Sequence, residues 1–195
     1  MKKIILLTFI TILSISNINA QERSSGDIEI VPYVGYMTAF VNGDFGDAQA
    51  SRTSARFGVL LDYYFNDRWS FRSGLAYDSM GADDGFNELE INYINIPLNA
   101  NWHFGSTRKW NLNFGLTPGF SVSAELDGID VSDAVASFQL GISYGIGYKL
   151  EISDSFSLLF DAYGLVAVTD YTSQDDSVDR YNAGSGFNIG AVFKL

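Results

Sequence analysis

The residues with most chemical potential in this sequence are charges set into otherwise uncharged, alternating segments. If the chain reverses at Asp67, Arg56 stands opposite Asp78 and Asp62 opposite Arg72. Two opposite-charge pairs from one register are what fixes a hairpin. A reversal at Asp154 brings Lys149 diagonally near Asp161, and Glu29 and Lys194 would pair if the first and last segments meet. Such a set could carry an ion path or a proton relay. We read it instead as stiffening salt bridges, because a buried charge costs several kcal/mol unless it is partnered.

Two other constellations invite chemistry. His103 is the single histidine, expected on an inner face opposite Asn111. A general base needs a nucleophile within reach, and the chain has no nucleophile elbow, metal-binding histidine pair or phosphate loop. A small barrel that moves acyl chains between lipids would need Ser, His and Asp together near its outer end. We therefore expect no catalytic residues, no cofactor and no metal centre. Asp127, Asp130 and Asp133 share one short segment, Asp127-Gly128-Ile129-Asp130-Val131-Ser132-Asp133. Their oxygens could hold Ca²⁺ or bridge divalent ions to lipopolysaccharide phosphates, but the segment lacks the full EF-hand pattern and its terminal Glu. A solvated acidic loop is the simpler reading.

The elements that must position these residues are strands. Trp110 to Leu126 sets Trp110, Leu112, Phe114, Leu116, Phe120 and Val122 against Asn111, Asn113, Gly115, Thr117, Gly119 and Ser121. Phe138 to Ile152 repeats the period of two, and Ile94 to Phe104 carries it in the fourth strand. The remaining strands fall at about 28–41, 54–66, 69–80, 156–171 and 186–195; the first and seventh alternate less cleanly. Long connections (42–53, 81–87, 127–136, 172–185) alternate with tight ones (66–68, 105–109, 153–155). Eight strands with loops of alternating length predict an all-β fold, an eight-stranded antiparallel up-and-down transmembrane β-barrel with both termini on the tight-turn, periplasmic side.

Polarity decides between two barrels. A soluble lipocalin-like lipid carrier turns its apolar face inward and covers its outer face with charge. Here the polar face is mostly Gly, Ser, Asn and Thr, which suits the cramped interior of eight strands, while the apolar face is bulky and aromatic and suits lipid. Phe65, Trp69, Trp102, Phe104, Trp110, Tyr148 and Phe156 lie beside the tight turns; Phe40, Tyr77, Phe120, Phe138, Tyr171 and Phe187 lie nearer the long loops. These read as two interfacial girdles.

Composition agrees. The chain has 195 residues, 23 acids, 12 bases and no cysteine, which excludes disulfides, thiol catalysis, cysteine zinc sites and a lipoprotein anchor. Its acidity argues against nucleic acid as a partner. Residues 1–20 read as a signal peptide, with Lys2 and Lys3, an apolar run from Ile4 to Ile15 and cleavage after Ala20; the mature chain then has 175 residues and a formal charge of −13. Residues 21–27 read as a short N-terminal tail and 28–195 as the barrel domain. The long loops carry ten Asp, namely Asp44, Asp47, Asp83, Asp84, Asp127, Asp130, Asp133, Asp175, Asp176 and Asp179, opposed by Arg52 and Arg180.

Arg56-Phe57-Gly58-Val59, Phe71-Arg72-Ser73-Gly74-Leu75-Ala76-Tyr77, Tyr93-Ile94-Asn95-Ile96-Pro97-Leu98, Asn113-Phe114-Gly115-Leu116-Thr117-Pro118-Gly119-Phe120 and Gly141-Ile142-Ser143-Tyr144-Gly145-Ile146-Gly147-Tyr148 follow one another in the chain. In this order they resemble the outer-membrane β-barrel proteins called PorT-like or "porin family". Asn95 stands where that family often has Glu, and the last residue is Leu195 rather than Phe. The resemblance implies an outer-membrane location, contact with membrane lipid and lipopolysaccharide, assembly through the C-terminal strand, and no cofactor. It names no single activity and no protein partner. The expectation is thus an integral outer-membrane barrel with a structural or interaction role through acidic extracellular loops. A narrow channel or secretion-associated barrel and the soluble carrier are the competing readings.

Overall fold

The computed structural model describes residues 23–42, 50–173 and 180–195. Ten strands form one antiparallel sheet: β1 Ile28–Asn42, β2 Ser51–Tyr64, β3 Trp69–Asp83, β4 Glu88–Asn95, β5 Leu98–Phe104, β6 Trp110–Leu126, β7 Ile129–Asp130, β8 Phe138–Glu151, β9 Phe156–Ala167 and β10 Tyr181–Lys194. β1 pairs with β2 and β2 with β3; β4 and β5 both pair with β3 and with β6; β6 pairs with β7 and β8, β8 with β9 and β9 with β10; and β10 pairs with β1, so the sheet closes. Closure leaves no open edge.

The barrel has eight crossings because β4 and β5 are two halves of one, and β7 belongs to a loop. The break is at Ile96-Pro97: Pro97 has no N–H for the ladder, while Ile96 still donates to the Pro118 carbonyl at 2.8 Å. A bulge at Asn92/Tyr93 shifts the register of β4 on β6. Strand limits also move from those expected. β9 stops at Ala167 rather than 171, and β10 starts at Tyr181 rather than 186. The start of β10, Tyr181-Asn182-Ala183-Gly184, is composed like a loop, yet Asn182 faces inward to Tyr93 and Gln139.

Val34, Tyr36, Phe57, Val59, Leu75, Phe114, Leu116, Tyr144, Ile146 and Ile189 are exposed on the outer face, whereas Glu29, Arg56, Asp62, Arg72, Asn101 and Gln139 are buried within. At the tight-turn end the outer aromatics of β3, β5, β6 and β8 form a row of neighbouring rings. Ring centroids lie 6.2 Å apart for Trp69–Trp102, 5.2 Å for Trp102–Phe104, 6.4 Å for Phe104–Trp110 and 4.9 Å for Trp110–Tyr148. An apolar outer surface with an interfacial aromatic belt is built for lipid. Small residues on the outer face make room for large ones: a Cβ at Gly164 would come within 2.6 Å of the Tyr144 ring that covers it.

Candidate functional site: the barrel interior

Among the described residues, eight charged side chains are buried: Arg23, Arg56, Arg72 and Lys149 against Glu29, Asp62, Asp78 and Asp161. Four cations and four carboxylates balance, so this buried set carries no net charge.

The β2–β3 hairpin sets the first contacts. Arg56 is registered opposite Asp78 and Asp62 opposite Arg72. Arg56 Nε lies 2.8 Å from Asp78 Oδ1, and the Arg56 guanidinium stacks 3.9 Å from the Tyr163 ring centre. Arg72 grips Asp62 with Nε and Nη2, both at 2.8 Å, the bidentate geometry that favours Arg. Asn95 Nδ2 donates to Asp78 Oδ2 at 2.6 Å. An amide suits this position, since a Glu there would set a second carboxylate against Asp78.

The other expected pairs are redistributed. Lys149 does not pair with Asp161. Its ammonium contacts Glu29 and the Tyr64 hydroxyl, the latter at 2.6 Å, and lies 3.8 Å from Asp62. Asp161 accepts instead from Asn113 and Asn188, at 3.3 and 3.4 Å, with Arg72 Nη1 at 3.9 Å. Glu29 and Lys194 are register partners but do not bond. Glu29 is enclosed and held by Lys149 and by Arg23 Nε at 2.7 Å. Lys194 sits at the rim and reaches Asp27 at 2.8 Å. The physical reason is closure: the barrel sets β8 across from the neighbouring strands β1 and β2, so the enclosed Lys149 reaches Glu29 and Asp62 across the lumen.

Arg23 was not singled out by sequence reasoning. Residues 23–27 do not hang free as a tail. Gly26 donates to the Tyr64 carbonyl and Tyr64 to the Asp27 carbonyl, both at 2.9 Å, and Arg23 reaches Glu29 and, at 3.6 Å, Glu151. The Lys194 ammonium holds the Asp27 carboxyl below the usual carboxylate range. His103 faces inward opposite Asn111. Its Nε2 is 3.0 Å from the Ser70 hydroxyl and its ring stacks on Tyr64 at 4.9 Å. The residue is fully enclosed.

Toward the long-loop end the interior becomes apolar. Met37, Ala39, Val41, Met80, Ala82, Leu89, Ile91, Tyr93, Ala124 and Leu165 pack into one cluster, capped by Val135 and Tyr171 from the loops. The expected interior of Gly, Ser, Asn and Thr is therefore only part of the picture.

Compared with known protein families, residues 19–194 match the model of the outer membrane protein beta-barrel domain. The chain belongs to this family. It is an outer-membrane β-barrel protein, and the soluble carrier reading falls. A search of curated protein sequences gave no match. Among solved structures, this outer-membrane barrel is similar to Neisserial surface protein A (14% identity, 86% of this chain and 97% of that chain covered, TM-score 0.57). It is similar also to Ail of Yersinia pestis (14%, 86% and 99%, 0.51) and OprG of Pseudomonas aeruginosa (12%, 91% and 99%, 0.50). These likenesses are of fold.

At the long-loop rim the carboxylates shape turns. Asp127 and Gly128 both have positive φ, 53° and 75°, as a two-residue I′ hairpin needs, and Asp127 Oδ1 accepts from the Glu88 amide at 2.8 Å. Asp130 Oδ1 accepts from the Ser132 amide at 2.9 Å. Asp127, Asp130 and Asp133 do not converge, and among the described residues no three metal-ligating side chains do. The candidate cation loop is therefore not assembled there, and the carboxylates of Asp127 and Asp130 accept instead from backbone amides. Hydrogen bonds from Ser132 hold the Asp130 carboxyl low, and those from the Asn87 and Phe86 amides do the same for Asp84. Asp44, Asp47, Asp175, Asp176 and Asp179, like the signal segment 1–20, lie outside the described residues.

Proposed function

We propose that this outer-membrane barrel is a closed scaffold, not a pore or an enzyme, and that it acts through its acidic long-loop end, which faces outside the cell. The observation that carries this reading is the interior. A charge-balanced network fills the tight-turn half, and the Met37–Met80–Ile91–Tyr93–Leu165 cluster fills the other. An ion entering from either end would have to displace paired charges and then cross an apolar layer. Short turns on the periplasmic side and longer loops outside is the usual orientation of such barrels. The PorT-like resemblance is the finer family assignment we favour. Lipid and lipopolysaccharide surround the barrel, and β10, which ends at Lys194 just before Leu195, is the strand offered to the assembly machinery. The protein partner is unknown. Ail was crystallised with a heparin analogue; the acidic rim here favours no such polyanion.

The test is the purified barrel in a planar bilayer. No single-channel steps are expected from the wild type. Steps that change in Arg56→Ala or Asp78→Ala would replace this reading with a channel. Lipid turnover that is lost in His103→Ala would replace it with an enzyme.

A further inference from the structure

On the outer wall a groove of about 760 Å³ runs from Trp102 on β5 to Thr38 on β1. It crosses β5, β6, β8, β9, β10 and β1 in their paired order, five strand spacings or about 24 Å. Large outward side chains form its sides: Tyr36, Phe114, Tyr144 and Ile146. Its floor holds the small outward residues Ala162 and Ser185. Strand tilt makes such a row climb the barrel. The groove starts among the tight-turn aromatics and ends at Thr38, four residues from the long-loop end of β1. Its long-loop part carries hydroxyls. Tyr144 is registered opposite Gly164, Gly164 opposite Ser185, Ser185 opposite Thr38 and Thr38 opposite Thr53. The Tyr144 ring covers Gly164, with its hydroxyl end over β9 beside the strand of Ser185. Thr38 and Thr53 share one hydrogen bond of 2.8 Å between their Oγ1 atoms, and no described residue hydrogen-bonds the Ser185 hydroxyl.

Shape and polarity together select the occupant. The wall faces hydrocarbon, where no water satisfies a hydroxyl. A second copy of the barrel is convex and would rest on Tyr36, Phe114 and Tyr144, leaving the floor uncovered. A single hydrocarbon chain is a rod that lies between them. An ordinary phospholipid chain is bare below its ester and offers Ser185 nothing. A β-hydroxyacyl chain carries a hydroxyl within the hydrocarbon, and the lipopolysaccharide that bears such chains occupies the outer leaflet, where the hydroxyl end of the groove stands. No lysine or arginine lines the groove, so recognition is by chain and hydroxyl and not by phosphate. We propose that this groove binds one β-hydroxyacyl chain of a lipopolysaccharide molecule, with the chain hydroxyl bonded to Ser185 and the chain running over Ala162 toward Phe114. This rests on the orientation proposed above, with the long loops outside the cell.

The experiment places the full barrel in phosphatidylcholine nanodiscs and adds lipid A with β-hydroxyacyl chains or, separately, phosphatidylglycerol of equal chain length. Amide and methyl resonances are followed. Saturable shifts confined to Thr38, Ile146, Ala162, Gly164 and Ser185 are expected with lipid A, and no saturation with phosphatidylglycerol. Affinity should fall about tenfold or more in Ala162→Phe, which fills the floor, and about threefold to tenfold in Ser185→Ala, the range for one lost hydrogen bond. Folding of both variants is checked by the gel shift on boiling; if Ala162→Phe does not fold, Ser185→Ala decides. Equal saturation by both lipids, shifts spread around the whole wall, or unchanged affinity in Ser185→Ala overturns the proposal. Shifts that follow protein concentration and not lipid also overturn it, in favour of a second copy. Orientation is read separately by labelling Phe86→Cys, at an exposed loop position, with an impermeant maleimide on whole cells. A labelled barrel that fails the titration loses this site alone; an unlabelled one loses the outer-leaflet assignment and the orientation with it.

Discussion

Removing Asp62 should be among the most destabilising single changes in this barrel. Its side chain is fully enclosed and accepts two 2.8 Å hydrogen bonds from Arg72, with Lys149 at 3.8 Å and Asn101 at 3.4 Å. Asp62→Ala leaves the Arg72 guanidinium, itself 2% exposed, with only Asp161 at 3.9 Å. Breaking a buried pair by deleting one partner costs about 3–5 kcal/mol, whereas replacing both partners by apolar residues is often neutral. The expected loss is therefore about 3–5 kcal/mol for Asp62→Ala and within ~1 kcal/mol of wild type for Asp62→Leu with Arg72→Met. An internal control is Asp67, which bonds Arg108 at 3.0 Å at the rim, with half its side chain exposed; Asp67→Ala should cost about 0–1 kcal/mol. The assay is equilibrium urea unfolding of the barrel in lipid vesicles at neutral pH. Fluorescence of Trp69, Trp102 and Trp110, all in the belt near this site, and the cold-gel mobility shift would both be followed. If Asp62→Ala falls within ~1 kcal/mol of wild type with an unchanged urea slope, Arg72 must find water in its place. The lumen would then be hydrated, and the closed-interior argument would fail.

Three further outcomes follow from the same geometry. Arg23→Ala should lower stability by about 1–3 kcal/mol, the range for a charge-assisted hydrogen bond, and should speed exchange of the Tyr64 amide, which donates to the docked segment at Asp27; unchanged exchange would show the segment to be loosely held. Gly164→Val should drive a side chain into the Tyr144 ring and cost about 1–3 kcal/mol, and pairing it with Tyr144→Ala should recover most of the loss. The carboxyls of Asp84 and Asp130, held low by the amides of their turns, stabilise those turns fully above the ordinary Asp value of about 3.9. That contribution is lost as pH falls through the lower folded values, so the amide shifts of Asn87 and Ser132 should titrate below the ordinary midpoint, and a midpoint at or above it would contradict the turn geometry.

Legibility in the sequence followed the range of the interaction. Arg56/Asp78 and Asp62/Arg72 could be read because one tight turn at Asp67 sets both. Asp67 also marks where the hairpin ends, so register and pairing come from the same dozen residues on either side. The destination of Lys149 could not be read this way. Glu29 is 120 positions away, and the two meet only when β1, β2 and β8 are placed around a closed cylinder. Arg23 was invisible for a related reason: a single Arg before a strand looks like any solvated tail residue until the barrel mouth it closes exists. The apolar upper interior did leave a trace. β1 and β9 alternate poorly because both their faces are apolar: Val31, Met37 and Val41 point in while Val34, Tyr36 and Phe40 point out, and Leu159 and Leu165 point in while Val166 points out. Blurred alternation in a membrane barrel can thus mark a packed interior rather than an uncertain strand.

That blurring makes the interior charges the elements that specify register. A slip of one residue exchanges the two faces of a strand. In β2 or β3 it would turn two charges toward lipid, at about 2–4 kcal/mol for an Arg near the midplane, so these strands are fixed from within. β9 has one inward charge, Asp161, between Leu159 and Tyr163. Without it, a slipped β9 would exchange one apolar face for another at little cost. Asp161→Leu removes a carboxylate whose close partners among the described residues are two amides and a 3.9 Å guanidinium, so its loss strands less charge than Asp62→Ala does. The variant should therefore remain folded yet lose uniqueness, with a second set of amide resonances for β9 and its neighbours. Cysteines placed at Ile146 and Ala162, opposite one another in the native register, should cross-link less completely in the Asp161→Leu background. A single resonance set and undiminished cross-linking would show that the ladder and loops fix β9 without its charge, and that the interior network serves stability alone.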